Sequence, residues 1–150
     1  MAEDLAQFAR RGIVVVVGTR DGEMRPEIAR GWGPVVAPEA TTVTLCVGAS
    51  RDSNTIANLQ HNGAIAMTMG LPTTYQFFQL KGHVTAIANP TAEELARVEA
   101  HAAAFAAEVV PLGLTVEQAR RLVHHELVSV SFAVHERYDQ TPGPGAGARV

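Results

Sequence analysis

The sequence predicts a mainly β protein, a single antiparallel barrel domain with flanking helices. Three observations predict this class. The chain has 150 residues, enough for one domain, and 47% of them are hydrophobic. Several short apolar segments rich in β-branched residues are separated by short turns. Strands and helices do not alternate regularly, which excludes a doubly wound fold.

The first half of the chain predicts a helix followed by three strands. The continuously apolar residues 13–17 are typical of a central strand buried on both faces. Asp21-Gly22 supplies hairpin turn chemistry, and threonines alternate with aliphatic residues over 41–47. The predicted elements are a helix over Ala2–Arg11 and strands over Ile13–Val17, Arg25–Val36 and Thr41–Val47.

The second half predicts three further strands and three helices. Thr91-Ala-Glu-Glu94 and Thr115-Val-Glu-Gln118 are capping boxes, which begin helices. The predicted elements are a loop and short helix over Ser50–Asn62, strands over Ala64–Met69, Thr74–Ile87 and Leu127–Tyr138, and helices beginning at Thr91 and running from Thr115 to about His125. Residues 1–139 form the predicted domain, and the Pro- and Gly-rich residues 140–150 form a C-terminal tail predicted to be a loop.

Composition and charge exclude several classes. A net charge of −3, from 12 basic and 15 acidic residues, gives no basic surplus for nucleic acid. Cys46 is the single cysteine, so no internal disulfide is expected. Met1–Arg11 lacks the apolar stretch of a signal peptide, and the longest apolar run is too short to span a bilayer. We therefore expect a cytoplasmic protein with no membrane partner. No metal site is expected either, because His124-His125-Glu126 lacks metal-binding spacing.

Arg30 is predicted to lie on an apolar strand face. Side chains alternate along a strand, so this residue shares its face with Ile28, Trp32 and Val36. A buried guanidinium requires an anion or several acceptors. A phosphate or carboxylate ligand meets that requirement, and so does a structural ion pair or a place at the barrel rim.

Two further polar features can also be explained either by ligand binding or by an ordinary structural role. Ser53 and Thr55 stand where a short helix begins, near Arg51, and helix N-termini hold anions. Plain N-capping explains the same residues. Gln79 and Lys81, the latter the chain's one lysine, lie on the polar face of the fifth strand. That face is either a cleft or a solvated surface.

Several short motifs occur in the order and spacing of a known family. They are Asp21-Gly22 with Arg25-Pro26 and Arg30, Ser53-x-Thr55-x-x-Asn58-Leu59 with Asn62, Gln79-Leu80-Lys81-Gly82, and the tail 140–147. With these motifs the chain, from about Leu5 to Gly147, resembles the FMN-binding split-barrel superfamily. It is more similar to the small pyridoxamine 5′-phosphate oxidase-like members than to the vitamin-biosynthetic oxidase.

The resemblance implies a six-stranded antiparallel Greek-key split β-barrel that forms a homodimer and binds FMN between the subunits. By that likeness Arg30 and the backbone after it run beside the flavin, and residues 48–49 approach the ring. Residues 53–55 hold the phosphate, and Gln79 lies near the ring or the ribityl chain, or Phe77 does if the register differs by two. The candidate cofactor-binding residues are Arg30, Gly31, Trp32, Gly33, Gly48, Ala49, Arg51, Ser53, Asn54, Thr55, Gln79 and Lys81.

One departure from the family weakens the expected phosphate site. The oxidase has an Arg-Lys pair where this chain has Asn54 and Thr55, so two positive charges are missing unless Arg30 and Arg51 compensate. The expected function is that of an FMN-dependent oxidoreductase acting on a small-molecule redox substrate, and no catalytic residue is assigned. The alternatives are a non-catalytic flavin or haem module, with His83 as the axial ligand for haem, and a deazaflavin-dependent reductase.

Overall fold

The computed structural model describes residues 4–150 and shows a closed antiparallel β-barrel. Six strands pair in the order β3-β2-β1-β4-β5-β6, and pairing of β3 with β6 closes the barrel. Because β4 lies beside β1 after the β1–β2–β3 meander, the topology is a Greek key. The predicted six-stranded barrel is therefore confirmed. The strands are β1 (Val14–Arg20), β2 (Pro26–Val36), β3 (Thr42–Gly48), β4 (Ala64–Leu71), β5 (Gln76–Ala88) and β6 (Leu127–Asp139).

Within residues 4–150, four α-helices flank the barrel: α1 (Leu5–Phe8), α2 (Thr55–Asn62), α3 (Ala92–Val109) and α4 (Val116–Arg120). Both predicted capping boxes are present, with reciprocal bonds at the starts of α3 and α4. The fourth helix ends at Arg120 rather than near His125, because the N–H groups of Leu122 and Val123 bond three residues back and tighten the chain into a turn. Residues 2–3 of the predicted first helix lie outside the described residues.

The barrel interior holds the main hydrophobic core. The inward residues of β1 are Val15 and Val17, which are at most 2% exposed. Val14 and Val16 point outward and are half-buried, so the expectation that this strand is buried on both faces is corrected. Because side chains alternate along a strand, the core can fill the inner face alone. The largest fully buried core side chains are Phe8, Ile13, Val17, Val43, Leu45, Val47, Met67, Met69, Leu71, Leu80, Val130 and Phe132.

A second core lies outside the barrel, where α3 and α4 pack on β2 and β3. Trp32 and Cys46 pair across the two strands and contact Val98 and Phe105 of α3. The strand register shifts between Trp32 and Val35, and after this irregularity Val36 belongs to the barrel interior. Val36 therefore does not share a face with Arg30, which corrects the alternation assumed from sequence.

Two segments differ from their predicted structure. Tyr75 has a φ of 59° and lies in a turn, so β5 begins at Gln76 rather than Thr74. The tail contains a seventh strand, β7 (Ala148–Arg149), where a loop was predicted. It pairs with Tyr138 and Asp139, beyond the part of β6 that pairs with β3.

Candidate functional site: the outer face of the barrel

The strand registers bring residues from five strands into one row on the outside of the barrel. Arg30 lies opposite Val16, Val16 opposite Thr68, Thr68 opposite Gln79, and Gln79 opposite Tyr138. Residues directly opposite in a sheet point to the same side. All five are half-buried. Two of the candidate residues, Arg30 and Gln79, therefore belong to one continuous surface.

A second row runs parallel to the first. Ile28 lies opposite Gly18, Gly18 opposite Ala66, Ala66 opposite Lys81, and Lys81 opposite Glu136. Its centre is made of small residues, and Ile28 is 72% exposed. We call these two rows, together with Gly70 and Phe77 beside them, the outer face. Its middle holds Val16, Gly18 and Ala66 with the polar Thr68 beside them, and charged or polar groups lie towards both ends.

Arg30 is the cation at one end of the outer face. Within residues 4–150 its guanidinium makes no hydrogen bond and no ion pair. A half-buried cation gives up part of its hydration, and such a group normally has an acceptor. The structural ion pair considered as an alternative is thus not found in the described chain, whereas a ligand anion would satisfy this group.

The other end of the outer face carries a polar cluster. The Gln79 amide Nε2 donates to the Thr68 hydroxyl at 3.0 Å. The Tyr138 hydroxyl donates to Glu136, and this bond lowers the pKa of the carboxyl and raises the pKa of the phenol. Lys81 Nζ lies 5.1 Å from the centre of the Tyr138 ring. The side chains of this cluster hold one another in position next to the apolar centre of the face.

The start of α2 adds hydroxyl and N–H groups near the Ile28 end of β2. The Ser53 hydroxyl donates to Thr55 Oγ1 at 2.9 Å and accepts the Thr55 N–H at 3.2 Å. The Asn54 side chain does not cap the helix, and its N–H points at Glu27 Oε1 over 3.4 Å. Arg51 is exposed. The N-cap residue Asn54 thus makes no side-chain capping bond, Ser53 accepts only the first N–H of α2, and the other N–H groups of the first turn lack carbonyl partners, as in any helix.

The remaining candidate residues are covered by the chain itself. A Cβ at Gly31 would lie 2.6 Å from Leu45 in the barrel interior, and one at Gly48 would lie 2.4 Å from the His124 ring. Trp32 is buried beneath α3, and the N–H of Gly33 donates to His101 Nδ1 at 2.9 Å. The Ala49 N–H donates to the Glu126 carbonyl at 3.0 Å. The structure does not bring these five residues onto the outer face, and a cofactor role for them remains a prediction.

Two cavities lie away from the outer face. One of about 450 Å³ lies between α1, β5 and β6, and one of about 440 Å³ lies between α1, the end of β2 and α3. Neither is lined by a side chain of the outer face. No group of three or more His, Cys, Asp or Glu residues within 4–150 is arranged to hold a metal ion. In the same range no helix has the length and apolarity needed to cross a membrane.

Comparison with known proteins relates this fold to solved structures. An F420 reductase is 15% identical, over 91% of this chain and 98% of its own length, with a TM-score of 0.60. A protein from Lactobacillus delbrueckii assigned as a pyridoxamine 5′-phosphate oxidase is 9% identical, over 92% of this chain and 93% of its own length, with a TM-score of 0.55. This chain has the split-barrel fold. An FMN-binding protein from Syntrophomonas wolfei shares the fold at 13% identity, over 82% of this chain and 74% of its own, with a TM-score of 0.51. At these identities the resemblance predicted from the motifs is confirmed as a likeness of fold.

Two other comparisons gave no match. No protein-family model matches the chain, and no curated protein matches it.

Several residues that build the outer face were not predicted from the sequence. Thr68, Tyr138 and Glu136 come from strands whose register with Gln79 and Lys81 is visible only in the folded sheet. Arg149 was assigned to a structureless tail and instead lies opposite Tyr138. Alternation along β6 gives no usable signal here, because it would put Glu136 and Tyr138 on the inward face of Val130 and Phe132, and only the register shift opposite Lys81 and Gly82 turns them outward.

Proposed function

We propose that the outer face binds FMN between two copies of this chain, and that the protein is an FMN-dependent oxidoreductase acting on a small molecule. The observation that carries the proposal is Arg30, a half-buried cation without a partner in residues 4–150, in one row with Gln79 and beside the small residues Gly18 and Ala66. When bound, the flavin supplies the redox chemistry, and the chain supplies binding and orientation.

The residues present fit such a cofactor. An anionic phosphate suits Arg30, and the Asn54 side-chain amide and Arg51 at the start of α2 add donors and charge. Gly18 and Ala66 leave the centre of the face without bulk, so a planar ring can approach the sheet there, whereas the Phe77 ring covers Gly70. Gln79 and Lys81 provide donors to polar atoms at the edge of that ring.

Glu27 is the feature that opposes a doubly charged phosphate. Its carboxylate already lies 3.4 Å from the Asn54 N–H, a long contact. Together with the absence of the Arg-Lys pair, this favours a second candidate, a deazaflavin cofactor. The F420 reductase with the same fold supports that candidate.

A second copy of the chain is the proposed partner of the outer face. Ile28 is 72% exposed, and the half-buried Val16, Gly18 and Ala66 continue this apolar area beside it. Exposed apolar residues grouped in this way are typical of interfaces. Burial between two barrels would exclude water from Arg30 and strengthen its attraction for an anion. A cytoplasmic location is part of the proposal and follows from the composition.

Titration of the purified protein with FMN, followed by visible absorption and flavin fluorescence, tests the proposal. We expect saturable binding, weakened at least tenfold in Arg30→Ala and less in Arg30→Lys, because a charge-assisted bond contributes about 1.5–3 kcal/mol. Arg120→Ala, which removes an exposed arginine from α4, is the matched control. Failure to bind FMN under any condition refutes the FMN proposal, and binding of F420 alone supports the deazaflavin. Stopped-flow reduction by NADH or NADPH then separates an enzyme from a carrier.

A further inference from the structure

We infer that Lys81 and Arg149, which both lie beside Tyr138, form a subsite that binds a carboxylate group of the substrate at the β7 end of the outer face. The inference rests on the proposed function, since it places the substrate on the same surface as the cofactor. It assigns a role to the C-terminal strand and a chemical class to the substrate.

The tail is held firmly enough to place Arg149. The Gly147 N–H donates to the Asp139 carbonyl at 2.7 Å, and the Val150 N–H donates to the Arg137 carbonyl at 3.0 Å. Between these two bonds Arg149 lies directly opposite Tyr138. Directly opposed residues share a face, so Arg149 extends the row that begins at Arg30.

The positive charges of this cluster exceed its negative charge. Lys81 contacts the ring of Tyr138, and neither Lys81 nor Arg149 forms an ion pair within 4.0 Å in the described chain. Glu136 is the nearby anion and accepts the Tyr138 hydroxyl. Two positive charges against one negative charge give a net charge of about +1, which matches a single carboxylate better than a phosphate dianion.

The distance between Arg30 and Arg149 is too long for one ligand group to contact both. Arg30 and Arg149 are five strand-to-strand steps apart along the row. At about 4.8 Å for each step the separation is roughly 24 Å along the curved sheet. The anion held by Arg30 and the anion held by Lys81 and Arg149 are therefore two different groups, one on the cofactor and one on the substrate.

Calorimetric titration with benzoate, a planar monocarboxylate probe, tests the subsite in flavin-free and in FMN-saturated protein. Benzamide, which has nearly the same shape and no charge, is the ligand control. We expect benzoate to bind at least tenfold more tightly than benzamide, and Arg149→Gln to weaken benzoate about tenfold while Arg149→Lys restores most of the affinity. Arg120→Gln removes a positive charge elsewhere and should leave benzoate binding unchanged.

The outcomes separate this inference from the proposed function. If FMN binds and benzoate affinity does not depend on Arg149, the subsite is overturned and the cofactor proposal stands. If FMN does not bind but benzoate binds in an Arg149-dependent manner, the subsite stands and the cofactor proposal fails. If neither ligand binds, both are overturned.

Discussion

His101 provides a direct test of how α3 is attached to the barrel. The residue is 8% exposed, its Nδ1 accepts the Gly33 N–H at 2.9 Å, and its Nε2 lies 2.9 Å from the Ile13 carbonyl oxygen. Since a backbone N–H can only donate and a carbonyl can only accept, the ring is neutral with its proton on Nε2. A second proton would face the Gly33 N–H, so protonation and the native packing of α3 exclude each other.

The sign and size of the pH effect follow from this arrangement. Burial lowers the pKa of His101 below its usual value of 6.5. The unfolded chain therefore binds a proton more readily than the native protein once the pH falls below about 6.5. The stabilisation from a neutral His101 is complete above that pH and is lost as the pH falls towards the native pKa. If the native ring stays neutral, the free energy of unfolding falls by about 1.4 kcal/mol between pH 7.5 and 5.5.

Urea unfolding followed by far-UV circular dichroism at pH 5.5, 6.5 and 7.5 measures this effect. His101→Gln retains a donor and an acceptor but does not titrate. The free energy of unfolding of the wild type minus that of this variant should therefore rise with pH. The exposed His125 serves as the control through His125→Gln. Asp21, Glu94 and Glu136, whose pKa values are lowered by their hydrogen bonds, titrate below this window. Equal pH slopes for the wild type and His101→Gln would refute the reasoning.

Three further predictions concern the barrel interior and the helix α3 that packs on the barrel. Gly31→Ala places a Cβ 2.6 Å from Leu45, so we expect chemical denaturation to show a loss of about 1–3 kcal/mol, whereas Gly145→Ala, in open space, should change stability by less than about 0.5 kcal/mol. Thr91→Ala removes the N-cap of α3 and should lower the free energy of unfolding by about 1 kcal/mol in the same assay, and no change would exclude a stabilising cap. Burial raises the pKa of Cys46 to about 11, so its reaction with a thiol reagent at pH 8 should be at least about tenfold slower in native than in urea-unfolded protein, and equal rates would contradict its burial.

The order of the elements was predictable because local chemistry determines them. The capping boxes at Thr91 and Thr115 define helix starts by bonds within four residues, and both are present. Alternation along β3 and β6 required no knowledge of the partner strand. Tyr75 and Val36 were misplaced because a positive φ and a register shift depend on the strands around them. The short β7 carries no strand pattern of its own and forms because β6 extends beyond β3.

The candidate site was predictable only in part, since it depends on register and on helix docking. Arg30 was singled out by its place in an apolar strand, which sequence shows. Trp32 and Gly33 follow it in the chain and lie beneath α3, and no local pattern in β2 indicates where that helix packs. Tyr138 lies 59 residues after Gln79 in sequence and directly opposite it in the sheet. Such a pairing becomes visible only when the barrel closes.

The composition of the outer face explains why the chain leaves it open. Where α3 covers the barrel, the outward residues of β2 and β3 are Trp32 and Cys46, which are at most 3% exposed. On β1 and β4 the corresponding positions include Gly18 and Ala66, which offer a helix of the same chain little apolar area to bury. Small residues instead let another backbone or a planar ring approach closely. Arg30 and Arg149 lie at the two ends of their row, and the small residues Gly18 and Ala66 lie in the neighbouring row between them.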